Sequence, residues 1–216
     1  MTTVYIVRHC ESMANLNHSF AGHYDVDISP KGAKQLACLT ERFKDIRLDK
    51  VYSSHLKRAY KTAEAVNKYN GCEIIIDDSF IEMNFGVIDG KPVKDMTEEQ
   101  TYCWNNEPHK FRVPEGETMA QVAARVWEGL QRVVRDNPNS TIAIASHGCA
   151  VRNLMRVLKG LAEERITEVE WCDNTAINKV EFYDDGSYKL VAENDSSHLT
   201  DEAKAEPIGN WNWSEK

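Results

Sequence analysis

The chain has 216 residues, of which 42% are apolar and 28% charged, a size and composition typical of one globular domain with a proper core. Its formal net charge of −8 argues against nucleic acid as a partner, although an acidic protein can still bind anions where its cationic groups are concentrated in one cleft. No apolar run approaches the ~20 residues that span a bilayer, and the N-terminus lacks the pattern of a signal peptide, so we expect a cytoplasmic protein with no membrane partner.

Apolar, β-prone runs predict the strands of a buried sheet. A final pair of alternating segments flanks Asp184-Asp185-Gly186, which is typical of a hairpin turn. In chain order the predicted strands are residues 4–7, 50–52, 74–76, 141–145, 179–183 and 188–192.

Helical patterns lie between these strands, and their starts carry capping residues. Ser29 before Pro30 predicts a helix with Ser as N-cap and Pro in the first position. Serine 53 or 54 is expected to cap the next helix. Thr118 with Gln121 forms a capping box for a third, and a fourth passes through residues 151–158.

The alternation of strands and helices predicts an α/β three-layer sandwich with a mostly parallel central sheet, helices on both faces and an antiparallel edge hairpin. Residues from about 84 to 116 show no clear periodicity and predict an irregular, cap-like insertion over one end of the sheet. We expect a single domain over residues 1–216, onto which Trp211 and Trp213 of the polar tail could dock.

Reactive and cationic side chains follow three of the predicted strands. Arg8 and His9 end the first, Arg58 lies in the first turn of the helix after the second, and His147 follows the fourth. Ligands of open α/β sheets bind outside the carboxyl ends of the strands, beside helix N-termini that favour anions. Because guanidinium groups grip phosphate oxygens in bidentate fashion, this set predicts a phosphoryl-binding cleft.

Six motifs occur in a characteristic order along the chain. They are Arg8-His9-Cys10-Glu11-Ser12 with Asn15, residues 22–29, Ser54-His55-Leu56-Lys57-Arg58-Ala59, Glu82-Met83-Asn84-Phe85-Gly86, Gly116-Glu117-Thr118 and Ser146-His147-Gly148. In this order they resemble the signature of the histidine phosphatase superfamily, the phosphoglycerate mutase-like proteins, over about residues 3–198.

The resemblance implies that His9 attacks phosphorus and forms a phosphohistidine. It also implies that Glu82 protonates the leaving oxygen and then acts as base for the incoming water. With so much fixed positive charge we expect neither a metal nor a cofactor. The groups expected to bind the phosphoryl oxygens are Arg8, Asn15, Arg58, His147 and Gly148.

Departures from the family pattern bear on the substrate. Mutases of the family carry Arg-Phe-Ser-Gly where this chain has Ser19-Phe20-Ala21-Gly22, and Arg112 is the only arginine between residues 84 and 116. Because groups that would hold a phosphoglycerate carboxylate are largely absent, we expect a phosphatase acting on a small phosphorylated metabolite. Mutase-type transfer between hydroxyls and a catalytically inactive phosphate-binding module stay open as alternatives, and so does a homodimer.

Two cysteines stand close to the predicted site, Cys10 beside His9 and Cys149 beside Gly148. A cysteine-dependent phosphatase requires His-Cys-x5-Arg, and Leu16 and Met155 occupy the places of the arginine. The six cysteines contain no Cys-x-x-Cys pair, which argues against a zinc site and a disulfide framework. We therefore expect both thiols to be bystanders, and a redox role for them stays open.

Overall fold

The computed structural model describes residues 1–204, which alternate between strands and helices as expected; Trp211 and Trp213 lie outside them. Short 3-10 segments occupy Asp78–Phe80, Gly86–Ile88, Val93–Asp95, Pro108–Lys110 and Glu163–Glu168. The longer elements are β1 (Thr2–Arg8), α1 (Met13–Leu16), α2 (Pro30–Arg42), β2 (Lys50–Ser53), α3 (Lys57–Asn67), β3 (Ile74–Ile76), α4 (Glu98–Asn106), α5 (Met119–Asp136), β4 (Thr141–Ser146), α6 (Gly148–Leu158), β5 (Ile177–Phe182) and β6 (Tyr188–Asp195).

The six strands form one sheet in the order β3-β2-β4-β1-β5-β6. Strands β1 to β4 are mutually parallel, whereas β5 pairs antiparallel with β1 and β6 antiparallel with β5. The predicted mostly parallel sheet with an antiparallel edge hairpin is confirmed. The register places Arg8 opposite Ser146, so the next residues, His9 and His147, leave the sheet side by side.

Both faces of the sheet are covered by helices. Val4 and Ile6 point into an apolar cluster shared with α5 and α6, while Val7 joins Leu39 of α2 and Ala63 of α3 in a second cluster. Successive side chains of a strand point to opposite faces, so a strand covered on both sides must be apolar at nearly every position. This accounts for the continuous apolar run in β1 and confirms the layered fold.

Two of the predicted helix starts are confirmed. The Ser29 hydroxyl accepts a hydrogen bond from the Gly32 N–H at 2.9 Å, with Pro30 in the first position of α2. At the start of α5, the Thr118 hydroxyl accepts from the Gln121 N–H, and the Gln121 side chain accepts from the Thr118 N–H. Within residues 1–204 no helix combines the length and apolar character needed to cross a bilayer.

The expectation that a serine caps α3 is wrong. The residue before this helix is Leu56, whose side chain makes no capping bond. The Ser53 hydroxyl donates to the Ser54 carbonyl oxygen, and the Ser54 hydroxyl lies 2.7 Å from Nε2 of His147. Ser54 therefore belongs to the ligand end of the sheet.

The insertion, residues 84–116, is helical where an irregular segment was expected. It contains α4, which starts with a Thr97–Gln100 capping box, and three of the 3-10 segments. Trp104 is buried at its centre, with ring centroids 4.9 to 6.0 Å from those of four other aromatic residues. Contacts between aromatic rings hold this segment together, and such contacts produce no regular spacing of apolar residues in the sequence. The four partners of Trp104 are Phe20, Phe85, Phe111 and Trp171.

Candidate active site

His9 stands just beyond β1, buried, with one ring nitrogen committed to the backbone. Its Nδ1 lies 2.6 Å from the Cys10 carbonyl oxygen. Because a carbonyl can only accept, Nδ1 carries the proton and Nε2 keeps its lone pair. Burial, together with Arg58 and Arg8, lowers the pKa of His9 well below its usual value, which keeps the ring neutral at neutral pH. The Asn174 amide, which donates to the His9 carbonyl at 2.9 Å, also fixes the loop.

His147 is the N-terminal cap residue of α6 and is completely buried. Its ring centroid is 5.1 Å from that of His9. Burial and then Arg58 lower the pKa of His147 well below its usual value. Nε2 of His147 lies 2.7 Å from the Ser54 hydroxyl, which can donate or accept; the neutral tautomer that we assign has Nε2 as acceptor and the proton on Nδ1. That Nδ1 is buried and has no hydrogen-bond partner within residues 1–204.

The two predicted arginines are oriented by backbone carbonyls. Nη1 of Arg8 donates to the Cys172 carbonyl oxygen. Both terminal nitrogens of Arg58 donate to carbonyls in residues 21–24, at 2.8 to 3.2 Å. In each arginine Nε is buried and lacks a partner among the described residues. Burying a cation is costly unless an anion accompanies it, so these groups favour an anionic ligand.

Glu82 faces this pair from the other side of Gly148. Its carboxylate accepts from the backbone N–H groups of Met83, Cys149 and Ala150 at 2.8 to 3.1 Å, the last two being in the first turn of α6. A Cβ placed on Gly148 would lie 3.5 Å from Nε of Arg8 and 3.5 Å from Oε2 of Glu82. The space between guanidinium and carboxylate is therefore narrow.

Arg125, which no motif indicated, holds the backbone of the Glu82 loop. Its guanidinium donates to the carbonyl oxygens of Ile81 and Glu82 at 2.8 and 3.2 Å and forms a bidentate pair with Glu117 at 2.8 and 2.9 Å. His23 adds a contact, with Nε2 3.1 Å from the Glu82 carbonyl oxygen. The Gly116-Glu117-Thr118 motif indicates Glu117 from the sequence. No motif indicates Arg125, which is a single arginine on an amphipathic helix.

Asn15 is placed differently from the other predicted phosphate ligands. Its Oδ1 accepts from the backbone N–H and hydroxyl of Ser12 at 3.0 and 2.9 Å, which closes a capping box on α1. Its amide nitrogen forms no hydrogen bond within residues 1–204. The role of Asn15 in phosphate binding stays a prediction.

The neighbouring thiols are unsuited to attack. Burial raises the pKa of Cys10 to about 12, and burial raises that of Cys149 well above its usual value. The thiolate is the nucleophilic form, and both thiols are protonated at neutral pH. Within the described part of the chain, no group of three or more His, Cys, Asp or Glu side chains is arranged to hold a metal ion.

The structure thus brings together six of the seven predicted residues at the carboxyl ends of β1, β2 and β4. A neutral imidazole with a free lone pair lies among buried N–H donors that lack partners in the described part of the chain, with a carboxylate nearby. Such a set can bind a tetrahedral oxyanion, attack it and exchange a proton with a departing or entering oxygen. The six residues are Arg8, His9, Arg58, Glu82, His147 and Gly148.

Comparison with known proteins gives relatives over almost the whole chain. The profile of the histidine phosphatase superfamily, branch 1, matches residues 4–196. Phosphoserine phosphatase 1 of Hydrogenobacter thermophilus is 32% identical over 183 residues, which cover 83% of this chain and 86% of that protein. The probable phosphoglycerate mutase GpmB of Escherichia coli is 31% identical over 211 residues, covering 92% and 95%.

Among solved structures, YhfR of Bacillus stearothermophilus superposes with a TM-score of 0.87 at 26% identity, covering 92% of this chain and 99% of that one. A mycobacterial glucosyl-3-phosphoglycerate phosphatase has a TM-score of 0.81 at 19% identity, covering 89% and 98%, and supports the fold. With the motifs at one end of the sheet and the profile match over residues 4–196, the chain belongs to the histidine phosphatase superfamily and is an enzyme of that superfamily with phosphatase relatives.

Proposed function

We propose that the protein is a metal-independent phosphatase that hydrolyses small phosphomonoesters through a phosphohistidine on His9. One observation carries the proposal. Nε2 of His9 has a free lone pair, while Nε of Arg8, Nε of Arg58 and Nδ1 of His147 are buried nearby without hydrogen-bond partners among residues 1–204. A phosphoryl group supplies the acceptor oxygens that these donors lack, and it supplies the electrophile for the imidazole.

In the first half of the reaction, Nε2 of His9 attacks phosphorus in line with the ester oxygen. The N–P bond forms as the P–O bond breaks, and Glu82 transfers a proton to the leaving alcohol. Arg8, Arg58 and His147 stabilise the charge on the three remaining oxygens, because their donors are already oriented when the substrate arrives.

In the second half, water attacks the phosphohistidine. Glu82, now a carboxylate, takes the proton of the entering water while the P–N bond breaks, and inorganic phosphate leaves. His9 returns to its neutral form with Nδ1 still donating to the Cys10 carbonyl. Each half-reaction reverses the proton transfer of the other, so the enzyme ends in its starting state.

The segment beside the site supports hydrolysis over transfer to a second hydroxyl. Met83 is completely buried in the core, and Oδ1 of Asn84 accepts from the Gly86 N–H at 2.8 Å. Arg112 is exposed and donates to carbonyl oxygens of its own segment, those of His109 and Phe111. Met83 and Asn84 carry no charge, and Nη1 of Arg112 is already bonded to carbonyl oxygens, which favours water as acceptor.

Phosphoenzyme trapping tests the mechanism. Wild-type protein incubated with ³²P-labelled phosphomonoesters and quenched in base should carry a label that is stable in base and lost in acid, as expected for phosphohistidine. The H9A variant should not be labelled. Phosphate release without any label would overturn the phosphohistidine step, and failure to bind, label or hydrolyse would favour an inactive binding module.

The substrate and the acceptor need a separate screen. Phosphoserine, sugar phosphates, α-ribazole phosphate and phosphoglycerates would be assayed for phosphate release and, for phosphoglycerates, for isomer formation. We expect release to dominate for each substrate and to persist in EDTA. The mutase alternative is supported by the similarity to GpmB, and isomerisation faster than release would establish it.

A further inference from the structure

A second cavity, of about 280 Å³, lies beside α6. We call it the α6 cavity; residues used below from its lining are Val151, Arg152, Met155, Lys159, Val169 and Cys172. Cys172 also accepts a hydrogen bond from Arg8 through its carbonyl, so the cavity and the phosphate site share one segment of wall. Nothing in the mechanism above uses the cavity.

Arg152 is the unusual residue of this lining. It is 7% exposed, its Nε donates to the Val169 carbonyl at 2.8 Å, and its guanidinium carbon lies 4.4 Å from the ring centroid of Trp171. The four N–H donors on its terminal nitrogens form no hydrogen bond within residues 1–204. It has no carboxylate partner there either, and its terminal nitrogens keep some exposure, so an anion in the cavity would reach them.

Three of the other four charged residues around the α6 cavity already have partners. Lys159 pairs with Glu193, and the Glu168 carboxylate accepts two hydrogen bonds from Arg165, both at 2.7 Å. Glu170 lies at the exposed rim. Burial lowers the pKa of Arg152, and the Cys149 thiol partly opposes that shift. Within the described lining, Arg152 is thus the cation that lacks an anion.

We propose that the α6 cavity binds a small organic carboxylate, held in bidentate fashion by the Arg152 guanidinium. Planar guanidinium and carboxylate groups match in geometry, and their hydrogen bonds are among the strongest in proteins. Val151, Met155 and Val169 offer apolar surface for the carbon skeleton. A cavity of about 280 Å³ has room for a dicarboxylate or an amino acid.

Trp171 provides a local probe for this binding, because its ring lies against Arg152. The full chain labelled with ¹⁵N-tryptophan would be titrated with succinate, and the indole N–H signal of Trp171 assigned with W171F. We expect a saturable shift with a Kd on the order of 1 mM, and none with succinamide, which lacks the charge. No movement of the Trp171 signal with succinate would overturn the proposal.

Variants separate this site from the phosphate site. R152M should abolish the succinate shift, while R156M, one turn further along α6, should keep it. A shift that survives in R152M, or one that saturating inorganic phosphate removes by competition, would overturn the proposal. If R152M does not fold by circular dichroism, R152K replaces it. The lysine ammonium is a point charge that cannot form the bidentate pair, so R152K should raise the Kd for succinate roughly tenfold. An unchanged Kd would be contrary to the proposal.

This inference does not depend on the phosphatase mechanism. The titration measures binding without turnover, so it can fail or succeed whether or not His9 forms a phosphoenzyme.

Discussion

The proposed phosphate site and the neighbouring insertion are built in different ways. Arg58, in the first turn of α3, and His147, just after β4, are completely buried, and backbone or hydroxyl groups hold each side chain in place. The insertion instead consists of short helices around Trp104, and its charged residues, such as Lys94 and Arg112, face outward. A rigid sheet end suits chemistry that needs fixed geometry, while a segment of short helices can vary its surface to suit a substrate.

The largest effect on kcat is expected when a histidine of the site, and not one of the insertion, is replaced. H9A should lower kcat for phosphate release by roughly 10⁴-fold or more, because it removes the nucleophile. H109A, in the insertion, should leave kcat near the wild-type value. Steady-state assays on the best substrate of the screen would compare them. An equal loss of kcat in H9A and H109A would contradict the assignment of catalysis to the end of the sheet and not to the insertion.

The second-largest effect on kcat is expected when the carboxylate of the site is replaced. E82Q should lower kcat by roughly 10²- to 10⁴-fold with alkyl phosphates, because the leaving oxygen loses its proton donor. With p-nitrophenyl phosphate, whose leaving group needs no proton, the phosphoenzyme should still form and then accumulate. E107Q, which breaks an ion pair with Lys110 in the insertion, is the matched control. Rapid-quench measurement of phosphoenzyme formation isolates the first step, and an equal loss of that rate in E82Q on both substrates would argue against Glu82 as general acid.

A smaller effect is expected for Arg125 and Glu117, the ion pair that holds the backbone of the Glu82 loop; we call this pair the clamp. R125M should lower kcat roughly tenfold with little change in KM, because it loosens the carbonyls that position Glu82. R125K should recover part of the loss, and E117Q should act through the same clamp and be non-additive with R125M. R135M, exposed on the same helix, is the control. Additive losses would show that Arg125 acts separately from Glu117.

The buried histidines of the site make the free energy of unfolding depend on pH. His9 and His147 have pKa values well below 6.5 in the folded protein, so the unfolded chain binds more protons once the pH falls below about 6.5. Stability is unaffected above that pH and is lost as the pH falls from it towards the folded pKa values. The slope is at most about 1.4 kcal/mol per pH unit for each histidine.

Urea unfolding between about pH 7.5 and 5 would measure this slope. H9Q and H147N should each flatten the curve, because each removes one group that protonates only on unfolding. Identical slopes in wild type and both variants would show that the two rings titrate alike in the folded and unfolded chains.

The smallest effect is expected for the thiols. C10A and C149A should keep kcat close to the wild-type value in the folded protein, because both thiols are protonated and neither attacks. Iodoacetamide should likewise leave activity unchanged. A loss in C10A comparable to that of H9A would mean that the nucleophile had been misassigned.

Local signals explain which elements were predicted correctly. The apolar run in β1 and the Ser29 and Thr118 caps act over a few residues, so the sequence displays them directly. The helices of the insertion escaped prediction because Trp104 packs against Phe20 and Trp171, which are distant in the chain. Ser54 was assigned a capping role that its sequence position allows, but its hydroxyl lies against His147 instead.

The sequence by itself determined the layered α/β fold and the candidate groups Arg8, His9, Arg58 and His147, because strand ends and motifs are local in the chain. The tertiary structure decided which nitrogen of His9 keeps its lone pair, since that depends on the Cys10 carbonyl. It also decided that Arg125 holds the Glu82 loop and that Arg152 has no carboxylate partner within residues 1–204. Hydrogen-bond partners and burial arise between segments far apart in sequence, and no local pattern encodes them.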